Sequence, residues 1–212
     1  MLELNKLYNM DCMIGMKDIP DKYFELAIVD PPYGINAGKM TMGSGKHKFT
    51  KNKSWDKAIP DKNYFDELFR VSNNQIIWGG NYFTEYLPPS KDWVIWDKCN
   101  PNLSFAEGEL AWIRSGKNLR IYKYYSAQVE EGGKIHPTQK PVKLYKWLLH
   151  NYAKQGDKIL DTHVGSASSI IACLDMGFEY MGFEIDEEYY NSGSKRIEDA
   201  MNQVSFFNLG IM

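Results

Sequence analysis

The stretch K-I-L-D-T-H-V-G-S-A-S-S-I-I-A-C-L-D-M-G-F-E-Y-M-G-F-E-I-D, residues 158 to 186, decides the fold. Lys158 to Asp161 reads as a short buried strand. Ser166 to Met176 reads as a helix, with Gly177 in the place where a helix closes through a left-handed residue. Glu179 to Glu184 is the next strand, and Asp186 caps a helix running to about Met201. Strand, helix, strand, helix is a βαβ unit, which demands a parallel pair and a right-handed crossover.

Working outward, residues 4 to 10 and 24 to 29 read as strands, with a helical turn between Asp11 and Pro20. Pro60 opens a helix to about Asn73, with Tyr64, Phe65, Leu68 and Phe69 on one face. Gln75 to Trp78 and Trp93 to Trp96 are further strands. Glu109 to Ser115 and Leu119 to Tyr125 read as a β-hairpin around Gly116-Lys117. Pro141 opens a helix to about Lys154. Alternating strands and helices favour an α/β fold with a doubly wound, mostly parallel sheet. Residues 1 to 212 are expected to form a single domain, with a basic loop at 36 to 57 and a small insertion within 97 to 135.

Composition sets the bounds. Of 212 residues, 43% are hydrophobic and 25% charged, as in an ordinary globular chain with a sizeable core. No apolar run approaches membrane-spanning length. The N-terminal stretch is too polar for a signal peptide, so a cytoplasmic protein is expected. Three cysteines without a C-x-x-C pattern argue against a disulfide framework and a cysteine zinc site. The net charge of −2 gives no global attraction for nucleic acid. The segment holding Lys39, Lys46, Lys48, Lys51, Lys53 and Lys57, with Asp56 as its one acid, is nevertheless a cationic strip.

The βαβ unit places Asp161 at a strand end, a glycine turn at Gly165-Ser166, and Glu184 at the end of the next strand. Such edges hold ligands in open α/β sheets. The turn lacks the G-x-G-x-x-G pattern of dinucleotide binders. A carboxylate at position 161 would repel a pyrophosphate and attract an ammonium group. Glu184 can accept both hydroxyls of a ribose. S-adenosylmethionine (AdoMet) carries both groups. A plain tight turn with a helix cap fits the same residues.

Further motifs join this one. N-M-D-C at 9 to 12, D-P-P-Y at 30 to 33, H-P-T-Q-K-P at 136 to 141, D-T-H-V-G-S-A-S at 161 to 168 and G-F-E-I-D at 182 to 186 follow in order. Together they resemble the beta class of DNA amino-methyltransferases, which modify adenine N6 or cytosine N4. The resemblance covers most of the chain. It implies a Rossmann-like AdoMet-dependent methyltransferase fold with permuted motif order, AdoMet as cofactor and no metal. It also implies double-stranded DNA as substrate, with a homodimer as one assembly and a bacterial, phage or mobile-element source. Restriction-modification is the associated role.

By the same resemblance, Asp161 binds the AdoMet amino group and the Gly165-Ser166 backbone lies beside the methionine part. Glu184 takes the ribose and Ile185 packs on the adenine ring. Asp11 and the Cys12 backbone read the adenine edge. His136 belongs to the methionine-end motif, in which Thr138 and Lys140 lie near the cofactor carboxylate. Thr162, His163 and Ala167 depart from the family's Pro, Phe and Gly. The Cβ of Ala167 is expected to limit how closely the backbone approaches the cofactor.

Asp30, Pro31, Pro32 and Tyr33 are the catalytic candidates. An exocyclic amine is a poor nucleophile because its lone pair is conjugated into the ring. Two acceptors, the Asp30 carboxylate and the Pro31 carbonyl, would favour the pyramidal nitrogen. Consecutive prolines fix the local backbone, and Tyr33 offers a face for stacking. A target base in a duplex must be flipped out to reach them. The cationic Lys39, Lys46, Lys48, Lys51 and Lys53 are expected to bind phosphates. The leading expectation is an adenine-N6 enzyme, since many cytosine-N4 relatives carry Ser in place of Asp30. Cytosine-N4 methylation, methylation of RNA or a protein amide, and an idle DNA-binding partner subunit are the alternatives.

Overall fold

The computed structural model describes residues 2–37, 56–101, 106–125, 135–136 and 138–208, with side chains described to residue 203. Eight strands form one sheet: β1 (Lys6–Asn9), β2 (Phe24–Val29), β3 (Ser72–Trp78), β4 (Trp93–Asp97), β5 (Gly108–Ile113), β6 (Arg120–Lys123), β7 (Lys158–Asp161) and β8 (Glu179–Glu184). Their spatial order is β1-β8-β7-β2-β3-β5-β4-β6. Only β5 runs against its neighbours β3 and β4. The βαβ unit expected at 158 to 186 is present, with β7 and β8 parallel and in register from Lys158↔Glu179 to Asp161↔Gly182.

Five helices cover the sheet: α1 (Cys12–Lys17), α2 (Lys62–Val71), α3 (Val142–Tyr152), α4 (Ser168–Met176) and α5 (Glu187–Asn208). Side chains alternate across a strand, and β2 divides accordingly. Leu26 and Ile28 enter the core that includes Leu144 and Leu148 of α3 and Ile170 of α4. Ala27 and Val29 enter the core with Met16 of α1 and Phe65 and Leu68 of α2. Two buried faces explain why Leu26 to Val29 reads as a continuous apolar run rather than an alternating one. Among the described residues no helix is long and apolar enough to cross a membrane.

Three local expectations change. Helix α2 is shorter than expected and gives way at Ser72 to β3, whose first residue donates its hydroxyl to the Leu68 carbonyl. Helix α4 begins at Ser168 because Ala167 adopts a left-handed conformation, φ +63°. The hairpin around Gly116-Lys117 does not form. Strand β4 lies between β5 and β6, so that Val94 faces Ala111 on one side and Arg120 on the other. The cause is Asp92, buried at the entrance to β4. Its carboxylate accepts the Gly116 N–H at 2.8 Å and the Asn118 N–H at 2.7 Å. This fastens the connection over the end of β4 and delivers β6 to its far side, parallel to it. The expected insertion within 97 to 135 thus contributes two strands to the sheet.

Because β1, β8, β7, β2 and β3 are mutually parallel, their C-terminal ends meet along one edge. Removing the Asp92 carboxylate strands two amides, at about 1–3 kcal/mol for each buried group left unsatisfied. Asp92→Ala is expected to lower the melting temperature by roughly 5 °C or more, read by circular dichroism, with a smaller loss for Asp92→Asn.

Candidate active site

Asp30 leaves the end of β2 and is held from two sides. Its Oδ1 accepts the Tyr33 hydroxyl at 2.5 Å, and its Oδ2 takes the Lys140 ammonium at 2.5 Å. The Lys140 side chain is 2% exposed. It is neither solvated nor near another anion alone: its Nζ also lies 3.0 Å from Glu109 Oε2, and Lys98 closes on Glu109 Oε1 at 2.6 Å. The charges alternate from Asp30 through Lys140 and Glu109 to Lys98. Burial works against the Lys140 charge, but Asp30 and Glu109 outweigh it and hold its pKa above the usual range. Burial likewise opposes the Glu109 charge, and Lys140 and Lys98 keep its carboxyl below the usual range. The Trp78 ring lies beneath the ammonium, 5.1 Å from its centroid.

Tyr33 is positioned by its surroundings. Burial, with the Asp30 charge added, raises the phenol well above its ordinary value, so its O–H remains a donor. Its ring stacks on Tyr82 with centroids 5.0 Å apart and planes 14° from parallel. Gly79, at the end of β3, has φ +70°, and a Cβ there would stand 2.2 Å from Tyr33 Cε1. Glycine at position 79 is therefore required twice, by the backbone and by the ring.

On the neighbouring strands, Asp161 ends β7 and Glu184 ends β8. Asp161 accepts the His163 amide at 2.9 Å and the Ser169 hydroxyl at 2.5 Å. Among the described residues no Lys or Arg pairs with it. Burial pushes its carboxyl up to about 7, the two hydrogen bonds offsetting only part of that cost. Glu184 accepts the Gly165 and Asp186 amides, both at 2.8 Å, and burial raises its carboxyl as well. Ile185 beside it is 65% exposed.

The departures at 162, 163 and 167 have their own support. Thr162 Oγ1 lies 2.7 Å from the Tyr64 hydroxyl and 2.9 Å from His163 Nδ1. Burial lowers the His163 pKa to about 4, so the ring is neutral, and it packs edge-on to Tyr64 at 5.4 Å. A neutral imidazole thus stands in the place where the family carries Phe. Ala167 is fully buried, and its Cβ faces Gly193 of α5, where an added Cβ would come within 3.5 Å. Its methyl is packed inside the fold on the side of α5. Arg196 donates to the Ser166 carbonyl at 2.7 Å and braces the turn.

The remaining candidates divide. His136 is buried against Tyr189, with ring centroids 4.2 Å apart, and a Cβ at Gly165 would lie 3.8 Å from it. This joins the H-P-T-Q-K-P motif to the glycine turn. Thr138 Oγ1 sits 3.0 Å from His136 Nδ1. Asp11 caps α1 by accepting the Met13 amide, and burial pushes the Cys12 thiol up to about 12, so it remains protonated. Lys39, Lys46, Lys48, Lys51 and Lys53 lie outside the described residues. Glu109, Tyr82, Asp56 and Arg196 are site neighbours that no motif announced. Only Asp56 had a signal, as the lone acid in a cationic strip.

Fold and edge together define a Rossmann-like α/β methyltransferase. Residues 77–195 match the family model described as DNA methylase, of the N6/N4 methyltransferase type, and the chain belongs to this family. It is 25% identical to the type II methyltransferase M.HinfI of Haemophilus influenzae, over 98% of this chain and 73% of that protein. It is 23% identical to the type II methyltransferase M2.DpnII of Streptococcus pneumoniae, over 91% of this chain and 89% of that protein. In structure it resembles M1.HpyAVI in complex with SAM, at TM-score 0.63 and 21% identity, covering 90% of this chain and 98% of that one. The cytosine-N4-specific PvuII DNA methyltransferase aligns at TM-score 0.60 and 13% identity, covering 94% and 92%.

The buried Asp161 has a consequence for stability. Its carboxyl titrates near 7 in the folded chain, against 3.8 when solvated. The folded state therefore binds more protons between these values, and stability falls as pH rises through that window. Asp161→Asn removes the cost of the buried charge. It is expected to raise the melting temperature by several degrees at pH 8 and to leave it nearly unchanged at pH 4, measured by differential scanning calorimetry.

Proposed function

We propose that this DNA methylase transfers a methyl group from AdoMet to N6 of adenine, in a base flipped out of double-stranded DNA. The observation that carries the proposal is the placement of Asp30 and Asp161 at the ends of neighbouring parallel strands, β2 and β7. A carboxylate braced by Tyr33 and Lys140 stands beside one that has no cation of its own. The second fits the ammonium of AdoMet, since burial has left it in want of a positive partner. Glu184 keeps lone pairs free for the ribose hydroxyls, and the exposed Ile185 offers an apolar surface to a flat ring. Asp161, Glu184 and Ile185, with the Gly165-Ser166 backbone, would hold the cofactor. Asp11, Cys12, His136 and Thr138 line the same edge. When bound, AdoMet supplies an electrophilic methyl group on a sulfonium.

The chain's own residues prepare the amine. Asp30 accepts one N–H of the target and the Pro31 carbonyl accepts the other, which draws the nitrogen out of conjugation. Acceptors fixed before the reaction need no reorganisation as positive charge grows on the nitrogen. Lys140 orients the Asp30 carboxylate, and Glu109 shares that ammonium. The Tyr33 ring stacks against the base, continuous with Tyr82. The lysines at 39, 46, 48, 51 and 53 neutralise phosphates, and the connections within 97 to 135 supply readout of flanking bases. The Asp at position 30, rather than Ser, favours adenine.

Incubation with labelled AdoMet and unmethylated DNA or RNA, followed by nucleoside chromatography, tests this. Label in N6-methyladenine is expected. Label in N4-methylcytosine would move the target to cytosine, and no label in any nucleoside would overturn the enzyme. Asp30→Ala is expected to reduce transfer by about 10³-fold or more, on the scale of a lost transition-state acceptor. Calorimetry should show AdoMet affinity within about threefold of the original chain. Ala167→Gly is expected to leave AdoMet affinity within a similar margin, because the methyl it removes faces α5.

A further inference from the structure

Asp56 belongs to none of the motifs, yet it is 2% exposed and converges on the catalytic turn. Its Oδ1 accepts the amides of Tyr33 at 2.6 Å and Gly34 at 2.8 Å, and its Oδ2 accepts the amide of Ala37 at 2.7 Å. Its backbone carbonyl accepts the Asn36 N–H at 2.9 Å. Gly34 and Asn36 both have positive φ, +72° and +58°. That conformation folds successive N–H groups inward, as in the concavities that bind anions. Here the anion is a side chain of the same protein. Among the described residues no Lys or Arg pairs with Asp56, and three backbone amides bond its carboxylate. A buried polar group is costly unless its hydrogen bonds are made, which makes the geometry of the turn and the position of this side chain interdependent.

Tyr33 is consequently held at three points: its hydroxyl by Asp30, its ring by Gly79 and Tyr82, and its backbone amide by Asp56. The first two restrain the far end of the side chain. Only the third fixes the backbone from which the ring springs, and with it the direction of the Pro31-Pro32 segment just before. We propose that Asp56 is a positioning residue for the catalytic turn. By gathering the amides of Tyr33, Gly34 and Ala37 it sets the plane of the Tyr33 ring and, through the rigid prolines, the aim of the Pro31 carbonyl. The bond from the Ala37 amide also brings positions 37 and 56 together. The proposal rests on the role given above to Tyr33 and Pro31.

Asp56→Asn keeps the shape and one acceptor oxygen but turns an N–H₂ toward the Ala37 amide; Asp56→Ala removes every acceptor. Hydrogen–deuterium exchange of the peptide spanning 30 to 37 reads the clasp without any need for activity. Exchange at least tenfold faster in Asp56→Asn, with β2 unchanged, is expected, and unchanged exchange would overturn the clasp. Steady-state methylation, with active sites counted by AdoMet binding, reads the consequence. A 10- to 100-fold loss of kcat is expected, with KM for AdoMet within threefold. A kcat within twofold of the original chain would overturn the positioning role and leave Asp56 a purely structural brace. If Asp56→Ala does not fold, Asp56→Asn decides both questions. Should the original chain itself methylate nothing, the functional reading fails, while the exchange comparison still decides the clasp.

Discussion

The buried contact between Lys140 and Asp30 is the constraint on which the catalytic edge depends. It links positions 110 residues apart in the chain, and so binds the turn after β2 to the entrance of α3. Its energetics are double-edged. Moving a lone ammonium and two carboxylates out of water would cost far more than one contact returns, and only the closed set of partners makes the arrangement tenable. Glu109 and Lys98 are thus integral to it. A polar cluster this dependent on completeness gives little net stability, but it allows only one arrangement of the Asp30 carboxylate. That is the property a hydrogen-bond acceptor needs if it is to meet a small, directional target.

Legibility in the sequence followed the range of the interactions. The βαβ unit at 158 to 186 was readable because strand, turn, helix and cap are neighbours in the chain, and Gly177 closes α4 as expected with φ +71°. The four carboxylates at positions 11, 30, 161 and 184 were readable because motifs carried them. What escaped was decided at a distance. The hairpin around Gly116 failed because Asp92, more than twenty residues earlier, holds the turn and puts β4 between the two strands. Lys140, expected beside the cofactor carboxylate, is paired instead with Asp30 and Glu109, which reach it from other parts of the sheet. Glu109 sits in an ordinary strand sequence with nothing to mark it.

The departures from the family pattern show the same logic from the other side. Taken as isolated letters, Thr162, His163 and Ala167 look like damage to a cofactor turn. In the fold each has a matching residue: Tyr64 for Thr162 and His163, and Gly193 for Ala167. A buried methyl in the left-handed region is tolerated where a helix offers a glycine opposite it. Substitutions of this kind are best read in pairs.

The strand order has a further effect, on how the chain comes to be assembled. β1 lies at the sheet's margin and pairs only with β8, so Lys6 waits for Met181. At roughly 5–20 residues per second of synthesis, that interval is about ten seconds or more. Until then the first strand has no ladder to join, and Asn9 has no partner in Glu184. Parallel pairings of such wide separation are slow to form even in a free chain. The ligand-facing edge therefore cannot take shape piecemeal. It is completed by the last strand to emerge, so the site comes into being at the same moment as the finished sheet.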